Sequence, residues 1–353
     1  MVPPRPSLRK VLGFSPVAWT GFALWRQKPH LMTSPSGILV LDKPAGITSR
    51  DAVDEACRRL KTREIGHCGT LDPLAKGVLV LVLGRARRLQ ELLSRSLKVY
   101  EARVRLGASS ETDDAEGPLH PCEGELSPPS QEVVERVVAG FHGEIEQRPP
   151  AYSAVKVEGK RLYAMARKGE KVEAPMRTVR VFEIEVLRYE WPNVDLRIGC
   201  AGGTYVRSIA RDIGEALGTR GYLRDLVRVG SGGFNQEVAV APEVVELKDV
   251  LPLEDALRDF PSVHIAAMQA RRLANGAEVR AELPNLGLDE ETHLFGWVHG
   301  RAVAMLKKVG PSKVRSARLL VSPERLLELA EEELRAEDLD AQSRTRPATR
   351  YED

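Results

Sequence analysis

The stretch from Gly66 to Gly77 combines the residue types of a reactive loop, because a histidine, a cysteine and an aspartate stand among glycines and a proline. An ionised carboxylate can attack an electrophilic carbon or accept a proton, so Asp72 is the candidate catalytic group. Pro73 restricts Asp72 to an extended backbone, which would hold the carboxylate out from the loop. The alternative is that Asp72 only closes an Asx-type turn.

The reactive loop is predicted to lie between a helix and a buried strand. The apolar run Gly37–Leu41 predicts a strand, and Thr48 with Asp51 three residues later is a capping pattern that predicts the start of a helix. The apolar run Val78–Leu83 predicts a fully buried strand after the loop. Rigid elements on both sides would therefore position the candidate carboxylate.

Further along the chain, predicted strands are mixed with helices. Alternation over Lys98–Leu106 predicts a half-buried strand with Tyr100 on its inner face. Thr178–Val186 and Val194–Cys200 predict two more strands, and Thr204–Leu217 predicts a helix. Hairpin-like strands combined with helices predict an α+β fold rather than a doubly wound one.

Charges are distributed unevenly along the 353 residues, although the formal net charge is only +2. The segment Arg58–Arg105 contains twelve Lys and Arg against four acids, whereas the segment from Glu324 onward contains ten acids against five Arg. An acidic tail therefore masks a basic body. Two basic zones, Arg58–Arg105 and Lys156–Arg180, are candidate phosphate-contacting surfaces, and ordinary solvated charge is the alternative.

The cysteines do not form a metal-site pattern. They include no Cys-x-x-Cys pair and no matching histidine spacing, so we expect reduced thiols and no metal. No apolar run reaches the roughly 20 residues that a membrane-spanning helix requires. We expect a cytoplasmic protein that is not embedded in a membrane.

Several long motifs resemble the TruB family of pseudouridine synthases. They occur in the order typical of that family and span most of the chain between Gly37 and Phe234. The motifs are Leu41–Ser49, Gly66–Gly77, Lys98–Tyr100, Gln147–Lys156 and Gly202–Ser208. The resemblance implies a pseudouridine synthase fold, in which a mixed, largely antiparallel sheet is flanked by helices and loops.

The same resemblance implies a role for individual residues. Asp72 matches the catalytic aspartate, Tyr100 the aromatic residue that stacks on the target base, and Arg207 the arginine that pairs with the aspartate. His67 matches a histidine that contacts RNA near the flipped nucleotide. The remaining residues implied to line the pocket are Lys43, Tyr205 and Leu226.

Residue patterns alone leave simpler interpretations open for three of these side chains. Tyr100 could be an ordinary core residue of its strand. Arg207, with Arg211 four residues later, could belong to a solvated helix face. His67 could be a hydrogen-bonding residue of the loop without a functional role.

The implied reaction is the conversion of uridine-55 in the T-loop of tRNA to pseudouridine, in which the base is detached from the sugar and rejoined through C5. This isomerisation has no redox change, so we expect no metal and no small-molecule cofactor. The expected partner is tRNA, contacted at its T-loop and stem by a monomer. Two alternatives are a guide-RNA-dependent synthase that needs partner proteins and a non-catalytic tRNA chaperone.

Four regions are predicted along the chain. Residues 1–36 are a basic extension, with three interpretations: a dispensable segment or start-site artefact with Met32 as the true start, a targeting peptide, or an RNA-contacting arm. Residues 37–258 are predicted to form the catalytic domain. Residues 259–323 resemble a small β-rich PUA-type RNA-binding domain, and residues 324–353 are predicted to be a charged helix and a disordered tail.

Overall fold

The computed structural model describes residues 35–153, 156–157, 160–161, 174–284 and 292–345. Most of the basic extension, most of the second basic zone and the end of the predicted tail lie outside these residues. Residues Pro35–Ala256 form one compact unit, and the described residues from Leu257 onward belong to a second. None of the described helices is both long and apolar enough to cross a membrane.

The larger unit is built on one sheet, to which nine strands of its described residues contribute. These strands are β1 Gly37–Lys43, β2 Ile65–His67, β3 Lys76–Leu83, β4 Lys98–Leu106, β7 Gly143–Gln147, β10 Arg177–Glu190, β11 Asn193–Cys200, β12 Gly221–Ser231 and β13 Phe234–Asn235. Two short hairpins lie outside it, one of β5 Ala108–Ser110 with β6 Leu119–Pro121 and one of β8 Lys156–Val157 with β9 Lys160–Arg161.

The strand order of this sheet brings distant parts of the sequence together. The main path is β1-β3-β12-β4-β11-β10-β7, with β2 added to β3 and β13 added to β12. Strand β12 pairs in parallel with β3, while the other pairings in the sheet are antiparallel. Because β12 lies between β3 and β4, it joins the strand after the reactive loop to the strand of Tyr100.

Four helices accompany this sheet in the described part of the larger unit: α1 Ser49–Arg59, α2 Gln90–Arg95, α3 Gln131–Ala139 and α4 Val206–Ala216. The capping box predicted at the start of α1 is confirmed, since the Asp51 amide donates to the Thr48 hydroxyl and the Thr48 amide donates to Asp51. Helix α4 is strongly amphipathic and buries Ile209 and Ile213 against the sheet core.

The core of the larger unit comes from the apolar sides of its strands and helices. Strand β3 is almost wholly buried, as its continuous apolar sequence predicts, and Val80 and Leu81 lie at its centre. In β4, Ala102 and Val104 are buried while Glu101 is exposed, which is the alternation of a strand with one covered face. Burial of these side chains fixes which strands are neighbours, and through them the position of the reactive loop.

The second unit contains a sheet with the order β14-β16-β17-β18-β15. Its strands are β14 Ser262–His264, β15 Val279–Arg280, β16 Leu294–Val298, β17 Arg301–Gly310 and β18 Lys313–Leu319. Helices α5 Ala267–Ala274 and α6 Pro323–Thr345 share a hydrophobic core with this sheet, to which Leu273, Leu326 and Leu329 contribute.

The α+β prediction is therefore confirmed, and most of the predicted strands extend beyond their expected ends. The clearest omission is β12, for which the sequence analysis predicts no strand, although the resemblance implies that Leu226 lines the pocket. Its sequence alternates irregularly, and its register with β4 shifts between Leu223 and Asp225. A β-bulge of this kind breaks the two-residue period on which strand prediction depends.

Candidate active site

The loop that carries Asp72 connects β2 to β3 and is fixed to the start of helix α1. The Ser49 hydroxyl donates to the Leu71 carbonyl and accepts from the Leu71 amide, both at 2.8 Å. The Gly46 amide donates to the Pro73 carbonyl at 2.8 Å. Residues on both sides of Asp72 are thus anchored by hydrogen bonds, which holds its carboxylate in a defined position.

The Asp72 carboxylate is paired with the guanidinium of Arg207. Arg207 Nε lies 2.9 Å from Oδ2, and Nη2 donates to Oδ1 at 3.2 Å, so both carboxylate oxygens face the guanidinium. Arg207 lies on the first turn of α4 and is almost fully buried. The solvated-face interpretation of Arg207 is therefore wrong: the first turn of α4 faces the reactive loop instead of water.

A second acid, Asp114, holds the other side of the same guanidinium. Its carboxylate, in a residue only 2% exposed, lies 3.3 Å from Arg207 Nη1. Asp114 in turn accepts from the Thr112 hydroxyl at 2.5 Å and from the Glu116 amide at 3.1 Å. Arg207 also donates to the carbonyls of Thr112 and Tyr152. These contacts leave the guanidinium little freedom to rotate away from Asp72.

Burial and charge act in opposite directions on Asp72. Burial raises the pKa of the Asp72 carboxyl above its ordinary value, and the Arg207 guanidinium opposes this rise. Asp114 adds to the rise and Lys43 opposes it. The Asp72 side chain remains 31% exposed, so the carboxylate is held by cations while one side is open to a ligand.

Lys43, at the end of β1, is completely buried and holds the backbone around the loop. Its ammonium donates to the carbonyls of Ile47 at 2.6 Å, Pro44 at 2.9 Å and Pro73 at 3.5 Å. Burial lowers the pKa of Lys43, and Asp72 is the largest influence in the opposite direction. Lys43 thus supplies a positive charge near Asp72 and also binds the carbonyl of Pro73, the residue after Asp72.

Tyr100 and Leu226 lie on neighbouring strands, β4 and β12, and both are buried in the core cluster of the larger unit. Burial raises the pKa of the Tyr100 phenol, and the Asp72 charge is among the further causes of the rise. The Tyr100 ring therefore lies near the Asp72 carboxylate, and Leu226 belongs to the same core cluster as Tyr100. Tyr100 is also a core residue, so its packing role and its implied stacking role are compatible.

His67 and Tyr205 lie next to this centre in the sequence. His67 ends β2; burial lowers the pKa of its ring, and its Nδ1 atom is buried without a hydrogen-bond partner in the described part of the chain. Tyr205 precedes α4, with its amide and carbonyl bound to the Gln147 side chain and its ring 4.6 Å from the Arg177 guanidinium carbon. The contacts described for both residues are with groups other than the Asp72 carboxylate.

Two polar residues of this region were not singled out from the sequence. Asp114 lies in a Thr-Asp-Asp run, outside the motifs that carry the family resemblance. Arg228 lies in the unpredicted strand β12, and its buried side chain donates to carbonyls on both sides of Asp72. An arginine between Val227 and Val229 was the available signal.

The geometry is that of a carboxylate paired with a guanidinium near a buried aromatic ring. Such a carboxylate can act as a nucleophile or as a base on a flat, polar ligand that covers it. Within the described ranges, no cluster of three or more His, Cys, Asp and Glu side chains is arranged to hold a metal ion.

Comparison with known proteins identifies the family. Residues 58–206 match the model of the TruB family pseudouridylate synthase N-terminal domain. The tRNA pseudouridine synthase B of Trichormus variabilis is 40% identical over 275 residues, which cover 73% of this chain and 92% of the relative. The protein of the same name from Bacillus licheniformis is 41% identical over 255 residues, covering 69% and 82% respectively.

The fold has solved counterparts as well. The structure of a Cbf5-Nop10-Gar1 complex contains a chain 27% identical to this one, with a TM-score of 0.65 and coverage of 83% of this chain and 87% of that chain. A chain of an archaeal box H/ACA sRNP Nop10-Cbf5 complex is 24% identical, with a TM-score of 0.62 and coverage of 83% and 88%. The expected fold is thereby confirmed, and the chain belongs to the TruB family of pseudouridine synthases.

Proposed function

We propose that the protein converts uridine-55 in the T-loop of tRNA to pseudouridine. The observation that carries this proposal is the pair formed by Asp72 and Arg207, an anchored carboxylate with one open side in a chain of this family. Relatives at about 40% identity over most of the chain are named tRNA pseudouridine synthase B. Together they support a uridine of tRNA as the target.

The reaction places a clear demand on the carboxylate. The N1–C1′ bond breaks, the base turns, and a C5–C1′ bond forms; the hydrogen on C5 leaves as a proton and N1 gains one. No net oxidation or reduction occurs, so the proposal requires no cofactor. Asp72 must be ionised to attack the nucleoside or to remove a proton from the sugar, and Arg207 favours that ionised form.

The target base must leave the folded RNA loop before Asp72 can reach its nucleoside. Extrusion costs base stacking, which an aromatic ring in the pocket restores in part. We assign this role to Tyr100, with Leu226 as an apolar wall and with Lys43, Tyr205 and His67 around the site. The burial of Tyr100 and the influence of Asp72 on its phenol support the assignment.

Binding of the rest of the RNA would depend on charge. In the first basic zone, the side chains of Arg58, Lys61, Arg63, Arg85 and Arg87 are exposed. Cations in such numbers suit phosphate contacts, which supply most of the affinity for RNA. We propose that this zone contacts the T-stem, that residues 259–323 add an RNA-binding domain, and that the protein acts as a cytoplasmic monomer.

A guide-RNA-dependent synthase is a second candidate because the similar solved chains come from a Cbf5-Nop10-Gar1 complex and from a box H/ACA sRNP Nop10-Cbf5 complex. The identity to those chains, 27% or below, is lower than the roughly 40% shared with the relatives named tRNA pseudouridine synthase B. This difference favours an enzyme that acts without partner proteins.

The decisive experiment incubates the purified protein alone with an unmodified tRNA transcript and maps pseudouridine by carbodiimide labelling. We expect modification at the single T-loop uridine by the wild type and none by Asp72→Asn, with RNA binding retained within about threefold because phosphate contacts are unchanged. Turnover by Asp72→Asn would refute the assigned role of the carboxylate. Tight binding without modification by the wild type would point to the guide-dependent or chaperone alternative.

A further inference from the structure

We infer that Arg228 is a positioning residue of the proposed reaction, which fixes the loop of Asp72 relative to the strand of Tyr100. The inference rests on the proposed function and adds a residue that lies beneath the site, out of reach of the RNA. Arg228 is only 1% exposed and stands near the middle of β12.

The Arg228 guanidinium binds the loop on both sides of Asp72. Nη2 donates to the Gly69 carbonyl at 3.1 Å and Nη1 to the Thr70 carbonyl at 3.4 Å, on the part of the loop that leads into Asp72. Nε donates to the Val78 carbonyl at 2.6 Å, on the strand that leads away from it. One rigid, planar group therefore sets the distance between the two ends of the loop.

The same side chain reaches the strand of the proposed stacking residue. In the register of β12 with β4, Arg228 stands opposite Tyr100. Burial raises the pKa of the Tyr100 phenol, and the neighbouring Arg228 guanidinium opposes that rise. A shift of Arg228 would thus move the ring and the carboxylate loop relative to each other.

The cost of burying Arg228 argues against a role in sheet packing alone. Its hydrogen-bond partners in the described part of the chain include three backbone carbonyls and no carboxylate, so its charge is buried without a counter-ion. Lys98, another buried basic residue, is close enough to interact: burial and, secondarily, the Arg228 charge lower the pKa of Lys98 to about 7. An apolar side chain would join β3 to β12 without this electrostatic penalty.

The test compares Arg228→Lys and Arg228→Met with Val194→Ala. Lysine keeps the charge but lacks the planar set of donors, and methionine keeps only the length. Val194 is fully buried in β11, where it faces Val104, so Val194→Ala weakens the same sheet away from the site. Thermal denaturation tests whether each variant is folded at the assay temperature, and kcat and KM are then measured with a tRNA transcript.

We expect both Arg228 variants to lower kcat by roughly a hundredfold, which is the effect of misplacing a reacting group by about an ångström. KM should stay within about threefold of the wild-type value, because Arg228 does not contact RNA. Val194→Ala should lower the Tm and leave kcat unchanged. In a Tyr100→Phe background the loss caused by Arg228→Lys should be smaller, since part of it acts through the phenol.

Guanidinium added to Arg228→Ala at a concentration well below denaturation provides a second readout. We expect it to restore part of the lost kcat, whereas it should have no such effect on Val194→Ala. Wild-type kcat in the Arg228 variants, or a loss that merely follows the Tm as in Val194→Ala, would overturn the positioning role while leaving the proposed function intact. Absence of pseudouridine with the wild-type protein would overturn both.

Discussion

Replacement of Arg207 offers the sharpest test of how the site works. The guanidinium makes five contacts: two with the carboxylate of Asp72, one with that of Asp114, and one each with the carbonyls of Thr112 and Tyr152. Arg207→Lys keeps the charge but has a single nitrogen with three donors. Arg207→Met removes charge and donors together.

The expected loss of stability can be worked from these contacts. Lysine can keep at most three of the five, and two lost contacts with buried groups, at about 1 to 2 kcal/mol each, amount to about 2 to 4 kcal/mol. Methionine leaves the buried Asp114 carboxylate without its cation, and breaking a buried ion pair in this way costs about 3 to 5 kcal/mol. Urea denaturation of each variant measures these differences in unfolding free energy.

The two variants should differ more clearly in their pH dependence. Burial raises the pKa of Asp72 and Arg207 opposes the rise, so removing the cation should raise the pKa further. The carboxylate must be ionised to act, and the acidic limb of kcat/KM should therefore move to higher pH in Arg207→Met. Arg207→Lys, which retains a cation, should keep the limb close to its wild-type position.

The assay follows release of tritium from tRNA labelled at uracil C5, because the hydrogen on C5 is lost when the base is rejoined to the sugar. Rates are measured from mildly acidic to mildly alkaline pH for the wild type and both variants. An unchanged acidic limb in Arg207→Met would show that Arg207 does not control the ionisation of Asp72. A limb displaced equally in both variants would assign the effect to geometry instead of charge.

Three further predictions concern residues around the site. Tyr100→Ala should reduce turnover by about a hundredfold while tRNA affinity, measured by filter binding, stays within about threefold, because phosphate contacts dominate binding; a uniform loss of affinity would contradict this. Folding lowers the pKa of Lys98 from 10.5 to about 7, so between these pH values the unfolded state binds more protons and the unfolding free energy of the wild type should rise with pH, by at most about 5 kcal/mol. Lys98→Met should abolish this rise, which urea titrations near both ends of the range would measure. An equal rise in the variant would exclude Lys98 as its source. Gly77→Ala should lower the unfolding free energy by about 2 to 5 kcal/mol, because Gly77 has a φ of +101° and a methyl group there would lie 2.4 Å from the Arg228 carbonyl oxygen. Gly124→Ala is the control for backbone strain alone, because Gly124 has a φ of +85° but open space around it. An equal loss of stability in both variants would argue against the close contact at Gly77.

Local signals allowed much of the fold to be predicted. The capping pattern at Thr48 and Asp51 marks the start of α1 because a helix end needs partners for its free amides, and these two residues supply them within one turn. The continuous apolar run Val78–Leu83 marks β3, because a strand that is buried on both faces needs no alternation of apolar and polar residues. Such patterns require only neighbouring residues, so they can be read without knowledge of the fold.

The rest of the site depended on long-range pairing. Nothing near Asp114 in the sequence indicates that its carboxylate meets an arginine on α4, because that contact exists only once the helix packs on the sheet. Arg228 likewise lies in no sequence pattern that marks its partners, since the groups it binds are backbone carbonyls far away in the chain. The family resemblance identified Arg207 and Tyr100 as site residues. Asp114 and Arg228, which contact Arg207 and the Asp72 loop, belong to no comparable sequence pattern.

The position of β12 in the sheet also sets when the site can exist during synthesis. Ribosomes deliver the chain from its N-terminus, so the loop of Asp72 emerges long before Arg207 and the strand that ends at Ser231. Strands β3 and β4 both pair with β12, so neither pairing can form until β12 has been synthesised. We expect these long-range pairings to be a late and slow step of folding. A chain interrupted before Arg207 would carry the carboxylate without its cation, and one interrupted before Ser231 would lack part of β12. Premature termination should therefore yield fragments without an assembled site.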